Sequence, residues 1–237
     1  ETLRLPHPAL PTLPVPVTAW LWPSPLVATS GLLLVLFLML HLGGSSLALT
    51  DPAGLEAFAS WLHRQPWLAA AELALLILLL LHPLLALGRW LGNRSQAGAQ
   101  PHQRRSRRQG PLEPLAAAAG RWQAFSGSVL LLFLAVHLRQ LRWPRPAAGQ
   151  ELDRLLTALA QPAAAALYAL AGLALTLHLL HGTESAHRSL GLLRSDNRPL
   201  IRWLGRTVAL GLGAGFTLLP LALALTARTT TGLGAPG

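Results

Sequence analysis

Four histidines lie inside long apolar segments of the sequence, where an ionisable side chain is costly and usually functional. They are His41, His82, His137 and His178. Ligation of a b-type haem by two imidazoles requires one histidine on each side of the macrocycle, at one depth inside a helix bundle. The surrounding leucine, valine, phenylalanine and alanine residues would form flat apolar walls suited to a porphyrin. The residue types therefore predict two bis-histidine haems b.

An internal repeat sorts the four histidines into pairs. His137 follows His41 by 96 residues, and His178 follows His82 by the same 96 residues. The same offset relates three further features: Ser30-Gly31 to Ser126-Gly127, Phe37 to Phe133, and Pro66 to Pro162. Two helix pairs are therefore expected to be parallel copies. His41 with His137 would then share one depth in the membrane, and His82 with His178 another.

Ser30 and Ser126 precede the histidines of their own helices by 11 residues. Eleven residues is close to three helical turns, or about 16 Å along the axis, so each serine shares a face with its histidine. The serines would then lie level with the other pair, His82 and His178. Two roles remain open for them: a hydrogen bond to a haem edge or propionate, or a small residue that lets helices approach.

Five stretches are long and apolar enough to span a membrane, since a spanning helix needs about 20 residues. We number them spans I to V: about 25–50, 67–87, 121–138, 155–183 and 203–227. The predicted fold is an all-α integral membrane protein, a single transmembrane domain over residues 1–237. Spans I to IV form a dihaem four-helix bundle from the tandem repeat, and span V packs beside it. Residues 93–120 are expected to form a cytoplasmic loop, and residues 228–237 a disordered tail.

Composition supports the membrane assignment, because 52% of the residues are hydrophobic and only 12% are charged. The chain has no cysteine, which excludes thiolate-bound iron–sulfur clusters and disulfides. Arginines concentrate in the II–III and IV–V loops, so the positive-inside rule places these loops and the N-terminus in the cytoplasm, and the C-terminus outside. The arginine run at 104–108 fits this topology, and no nucleic-acid partner is expected. Tryptophans mark the predicted membrane boundaries: Trp20, Trp22, Trp61, Trp67, Trp90, Trp122, Trp143 and Trp203.

Glu72 is the only acidic residue within a predicted span, about one turn inside the outer face. A carboxylate there could relay protons to a quinone near the His41/His137 haem, or it could simply extend its side chain to the interface. His181 lies one turn beyond His178, and the repeat selects His178 as the ligand. We expect five side chains to contact the haems without ligating iron: Ser30, Ser126, Trp122, His181 and Arg188.

The histidine arrangement and two motifs resemble a known family over roughly residues 25–225. One motif is Ser30-Gly31 with Phe37 and His41-Leu42, and the other runs from His178 through His181-Gly182 to Leu192. Both are similar to the dihaem cytochrome b subunit that anchors succinate:quinone oxidoreductases and quinol:fumarate reductases to the membrane. Some members of that family carry a glutamate two residues before the fourth ligand, whereas this chain has Thr176 there.

The resemblance implies a function and a set of partners. The His82/His178 haem would be proximal, on the cytoplasmic side, and would take electrons from an iron–sulfur subunit. The His41/His137 haem would be distal, nearer a membrane quinone, commonly menaquinone. A flavoprotein with FAD would complete the complex in a prokaryotic cytoplasmic membrane and carry the dicarboxylate chemistry. The complex could assemble further into an oligomer of heterotrimers.

Two alternatives follow from the same residues. One is the dihaem subunit of another quinone-linked enzyme, such as a nitrate reductase, a hydrogenase or a formate dehydrogenase. The other is a haem-free transporter that uses intramembrane histidines to relay protons.

Overall fold

The computed structural model describes residues 24–96 and 113–230. These residues form eight α-helices and contain no strand. Their bounds are α1 Ser24–Thr50, α2 Pro52–His63, α3 Leu68–Gln96, α4 Glu113–Arg121, α5 Gln123–His137, α6 Glu151–Ala160, α7 Pro162–Ser189 and α8 Arg198–Thr230. A π-helical turn, Leu138–Arg142, continues α5. Residues 1–23, 97–112 and 231–237 lie outside the description, and with them Trp20, Trp22 and the arginine run at 104–108.

Five helices are long and apolar enough to cross a membrane, as the sequence predicted. They are α1, α3, α5 with its π-helical turn, α7 and α8. Many of their leucines are exposed; Leu40, Leu132 and Leu225 each expose about two thirds of their surface or more. Such exposure is unusual for a soluble protein of this size and is the pattern expected of side chains that face lipid.

Four of these helices pack as a ring around a common axis. Among the described residues, the neighbouring pairs are α1 with α3, α3 with α5, α5 with α7, and α7 with α1. The pairs α1/α5 and α3/α7 face each other across the ring and are not among its packed neighbours. The first and third spans are thus diagonal partners, and so are the second and fourth. The axis of the ring is therefore bounded by side chains from all four helices.

The fifth spanning helix, α8, packs mainly on α7 and also touches α1 and α6. Glycines permit the close approach to α7, because a Cβ on Gly172 would collide with the backbone of Phe216 and Thr217. A Cβ on Gly213 would likewise collide with Thr176. Half of the residues in the most apolar 18-residue stretch of α7 are buried, against 6% in the corresponding stretch of α5. Helix α7 is therefore the centre of the packing.

The fourth span differs most from its prediction, in which one helix begins at residue 155. The structure instead ends α6 at Ala160 and begins α7 at Pro162. Proline has no N–H to donate and its ring excludes the residue before it from helical geometry, and Gln161 is indeed extended. Helix α7 then runs to Ser189, where Gly191 takes a positive φ of 71° and terminates it.

Two short helices were not predicted at all. Helix α2 begins where Asp51 accepts a hydrogen bond from the Gly54 N–H (3.0 Å), with Pro52 in the first turn. Helix α4, Glu113–Arg121, lies in the segment 93–120 that was expected to be a loop, and α3 also continues into that segment, to Gln96. At the other terminus, α8 extends to Thr230, into the predicted tail.

Candidate functional site

The four intramembrane histidines form two pairs, each across a diagonal of the helix ring. The His41 ring on α1 lies 5.9 Å from the His137 ring on α5, measured between centroids. The His82 ring on α3 lies 6.4 Å from the His178 ring on α7. These are the two pairs that the 96-residue repeat predicted.

The ring separations suit a metal centre between the imidazoles. A metal–imidazole nitrogen bond is about 2 Å long. Two imidazoles on opposite sides of one iron therefore have ring centres roughly 6 Å apart. Among the described residues, no group of three or more histidine, cysteine, aspartate or glutamate side chains converges on one point. A haem would supply four ligands to its iron from the macrocycle and would take two imidazoles from the protein.

We call the first environment the serine site: His82, His178, Ser30, Ser126 and Gln123. The Ser30 hydroxyl lies 3.1 Å from His82 Nδ1, and the Ser126 hydroxyl lies 3.3 Å from His178 Nδ1. Both contacts join residues 52 apart, so the repeat reproduces them. The three-turn spacing thus places each serine level with the other histidine pair, as the sequence predicted.

The other hydrogen bonds of the two serine hydroxyls bear on which ring nitrogen of each histidine carries the proton. Ser30 donates its hydroxyl hydrogen to the carbonyls of Leu26 (2.8 Å) and Val27 (3.1 Å), so towards His82 it can only accept. Ser126 donates to the Gln123 carbonyl (3.1 Å) and stands in the same relation to His178. A hydrogen on Nδ1 of His82 fits this arrangement and leaves the Nε2 lone pair for a metal. At His178 the Gln123 amide nitrogen also lies 3.3 Å from Nδ1, so the serine alone does not set the tautomer there.

Two glycines and the side-chain amide of Gln123 complete the serine site. A Cβ on Gly31 would lie 3.0 Å from His82 Cε1, and a Cβ on Gly127 would lie 3.2 Å from His178 Cε1. A side chain at either glycine would therefore press on the histidine ring of the neighbouring helix. The Gln123 amide nitrogen lies 3.3 Å and 3.4 Å from the two ring nitrogens of His178. Its oxygen Oε1 is buried without a hydrogen-bond partner among the described residues.

We call the second environment the aromatic site: His41, His137, Phe37, Phe133, Phe216 and Tyr168. Phe37 stacks on His41 from one turn below (5.3 Å), and Phe216 of α8 stacks on it from 6.0 Å. Phe133 packs against His137 at 5.5 Å. Tyr168 is the polar member, with its hydroxyl 3.3 Å from His137 Nδ1. This site is walled by flat rings, which suit the face of a macrocycle.

No known protein family, curated protein or solved structure matches this chain. The description of its site therefore rests on its own residues.

Several predicted contacts lie away from the histidine pairs. Trp122 is half exposed and packs edge-on against Phe125 (5.3 Å). Arg188 binds Glu184 at 2.8 Å on its own helix. The His181 ring packs against α4, since a Cβ on Gly120 would lie 3.0 Å from its Nδ1. Haem contacts of Trp122, Arg188 and His181 stay predictions.

Glu72 binds two arginines near the end of α5. Arg142 is the last residue of the π-helical turn, and Arg145 follows it by three residues. The Glu72 carboxylate accepts from Arg142 at 2.6 Å and from Arg145 at 3.1 Å. The side chain of Glu72 is 36% exposed. A proton-relay role for Glu72 would thus require at least one of these ion pairs to open.

Three residues at the histidines were not predicted from the sequence, namely Gln123, Tyr168 and Phe216, and neither was Gln140, which bonds Tyr168. Two of them had a usable signal. Gln123 precedes Ser126 by three residues and therefore shares its face, and Tyr168 occupies the position 96 residues after Glu72. Phe216 had none, because α8 has no counterpart in the repeat.

Proposed function

We propose that this chain is a dihaem cytochrome b that anchors a succinate:quinone oxidoreductase or quinol:fumarate reductase to a prokaryotic cytoplasmic membrane. In this proposal His82 and His178 hold one haem, and His41 and His137 hold the other. Haem b supplies a one-electron carrier in each site. Electrons pass from an iron–sulfur subunit through the two sites to a membrane quinone, with menaquinone the expected one.

One observation carries the cofactor assignment: two histidine pairs span the diagonals of one helix ring with ring separations of 5.9 Å and 6.4 Å. Three of the four imidazoles also have an oxygen partner at Nδ1: Ser30, Ser126 or Tyr168. Such partners orient a ligating histidine and keep Nε2 available. A histidine that relays protons would instead need partners at both ring nitrogens, and the described hydrogen-bond partner of His137, Tyr168, contacts Nδ1.

The orientation follows from the distribution of arginines. The serine site lies in the half of the bundle that carries α4 and the arginine-rich connections, so we assign it to the cytoplasmic side, facing the iron–sulfur subunit. The aromatic site then lies towards the outer face, near the quinone. At that end Glu72 is the proposed proton carrier for the quinone, held by Arg142 and Arg145 until it is used.

The choice of enzyme complex rests on the sequence resemblance. The motif from Ser30 to Leu42 and the segment from His178 to Leu192 support it. The geometry supports the cofactor and would serve other quinone-linked dihaem cytochromes equally well.

Purification of the chain from its native membrane with its associated subunits tests both parts of the proposal. A reduced-minus-oxidised difference spectrum should show b-type haem, and mass spectrometry should identify a flavoprotein and an iron–sulfur protein. A molybdenum or nickel subunit in place of the flavoprotein would overturn the succinate assignment and leave the haem assignment intact. A purified complex without b-type absorption would overturn both and favour the proton-relaying transporter.

A further inference from the structure

Tyr168 is the only tyrosine in the chain, and it is buried at the aromatic site with 8% of its surface exposed. Its ring packs edge-on against Phe133 at 4.8 Å, which fixes the direction of the hydroxyl. That hydroxyl reaches His137 Nδ1 at 3.3 Å from the neighbouring helix of the ring. The contact therefore links α7 to a histidine on α5.

The direction of the hydrogen bond follows from a second partner of Tyr168. The tyrosine hydroxyl donates its hydrogen to Gln140 Oε1 at 3.1 Å. With that hydrogen committed, the phenolic oxygen can only accept from His137. His137 must then carry its hydrogen on Nδ1, which leaves Nε2 as the free lone pair.

Gln140 is held in place by the π-helical turn that follows His137. In this turn the Trp143 N–H donates to the Leu138 carbonyl, five residues back, at 2.8 Å. Arg154 of α6 binds the Gln140 carbonyl at 2.7 Å. Single π-helical turns are frequent at functional sites, because they redirect side chains that a regular helix would point elsewhere. Here the turn brings the Gln140 amide to Tyr168.

Comparison of the two repeat units shows that only His137 has a tyrosine hydrogen-bonded to its ring. The residue equivalent to Tyr168 is Glu72, which binds Arg142 and Arg145 and not a histidine. Among the described residues, His41 has ring contacts with Phe37, Phe216 and His137 and no hydrogen-bond partner. Only His137 therefore has a fixed orientation and tautomer at the aromatic site.

We propose that Tyr168, held by Gln140, is the positioning residue of the aromatic site and sets the electron-donor strength of His137. The inference rests on the proposed haem ligation. An imidazole that donates an Nδ1 hydrogen bond is a stronger donor to a metal at Nε2, which favours the oxidised metal. Loss of the acceptor oxygen should therefore raise the reduction potential of this site and leave the serine site unchanged.

The test is a potentiometric titration of the b-type absorption of the purified holoprotein with Tyr168→Phe, which removes the oxygen and keeps the ring. A neutral hydrogen bond contributes about 1 kcal/mol. Only the difference in hydrogen-bond strength between the oxidised and reduced states shifts the potential, so the expected change is at most about fivefold in the reduction equilibrium constant of one haem, or up to ~40 mV upward for a one-electron couple. Gln140→Leu should shift the same component in the same direction by less. Ser128→Ala, which removes a hydroxyl bonded only to the Ala124 carbonyl of its own helix, is the matched control and should shift neither component.

The outcomes separate this inference from the proposed function. A wild-type protein without haem would overturn the proposed function. A wild-type protein with two haems whose potentials are unchanged in Tyr168→Phe would overturn the role of Tyr168 and leave the function standing. If Tyr168→Phe loses the haem of the aromatic site altogether, Gln140→Leu decides: an upward shift supports the role, and an unchanged potential overturns it.

Discussion

The serine site and the aromatic site are built on the same repeat and differ in what surrounds the histidines. At the serine site each imidazole meets a hydroxyl from the partner helix of its own repeat unit, Ser30 for His82 and Ser126 for His178. At the aromatic site the neighbours are phenylalanines, and Tyr168 alone supplies a hydrogen-bond partner.

The difference shows which features a duplicated helix pair keeps and which it can vary. The histidine spacing is the same in both units, so the ring separations are similar. Phe37 and Phe133 at the aromatic site belong to the repeat, whereas two further residues come from outside the repeat pattern: Phe216 from α8 and Gln140 from the π-helical turn. Because hydrogen bonding and burial both tune a haem potential, the two sites are expected to titrate at different potentials.

Alanine at a single histidine is expected to have the largest effect. His82→Ala and His178→Ala should each remove one of the two haems, and the same one. His41→Ala should remove the other. Redox-resolved difference spectra of the purified variants measure this. His187→Ala is the control, because His187 bonds the Thr183 carbonyl of its own helix at 2.8 Å and should keep both haems. Loss of the same component in His82→Ala and in His41→Ala would refute the pairing.

A larger side chain at Gly31 should disturb the serine site by steric contact and leave the aromatic site intact. Its Cβ would lie 3.0 Å from His82 Cε1, so Gly31→Val pushes on a ligand of the serine site alone. Overpacking costs about 1–3 kcal/mol, so haem retention at that site should fall by roughly 5- to 150-fold. Gly43→Val is the matched control on the same helix, where nothing lies within 4 Å of the added Cβ. Equal loss from both sites would mean that Gly31 acts through general destabilisation.

Removal of a serine hydroxyl should shift a potential without loss of haem. Ser126→Ala deprives His178 of the oxygen 3.3 Å from Nδ1, and Ser30→Ala does the same to His82. A hydrogen bond of about 1 kcal/mol sets an upper bound of ~40 mV on the upward shift of the serine-site potential in either variant, because only the part of the bond that differs between the oxidised and reduced states counts. Potentiometric titration measures it, with the aromatic site as the internal reference. An unchanged serine-site potential in both variants would mean that the serines act only in packing.

The smallest effect is expected at a pair of glutamates that lies beyond the aromatic site. Glu56 of α2 accepts from the N–H groups of Leu152 (2.7 Å) and Glu151 (3.4 Å), and thereby caps α6 from another helix. Glu56→Gln should cost about 1 kcal/mol of stability, as the loss of a cap does, and lower the thermal midpoint accordingly. Asp196→Asn, at an exposed surface pair, is the control and should leave the midpoint unchanged. An unchanged midpoint in Glu56→Gln would mean that the cap contributes nothing.

The same pair makes stability depend on pH. Burial raises the pKa of Glu56, but its hydrogen bonds with Glu151 and with the backbone of α6 outweigh this and lower it below the ordinary 4.5. Burial and the hydrogen bond with Glu56 raise the pKa of Glu151 above its ordinary value. The contribution of Glu56 is lost as pH falls through its lowered pKa, and that of Glu151 is lost as pH rises through its raised pKa. The thermal midpoint should therefore peak between the lowered pKa of Glu56 and the raised pKa of Glu151, and Glu56→Gln should abolish the fall on the acid side. A midpoint that rises steadily through that range in the wild type would contradict the hydrogen bond between the two carboxyl groups.

The sequence predicted the five spanning helices and the pairing of the histidines, because both depend on spacing along single helices. Apolar length identifies a span, and a constant offset places His41 opposite His137. The break at Pro162 was visible in the sequence, but the apolar run on both sides of it concealed the boundary. Tyr168 and Gln140 could not be paired from sequence, because a π-helical turn changes which residues share a face.

The measurement that tests the central claim most directly is the haem content of the purified wild-type chain. Quantitative extraction of haem, set against protein concentration from amino-acid analysis, counts the cofactors without reference to any partner or activity. Two diagonal histidine pairs predict two haems b per chain. A ratio of zero or one would contradict the assignment of both pairs as haem ligands.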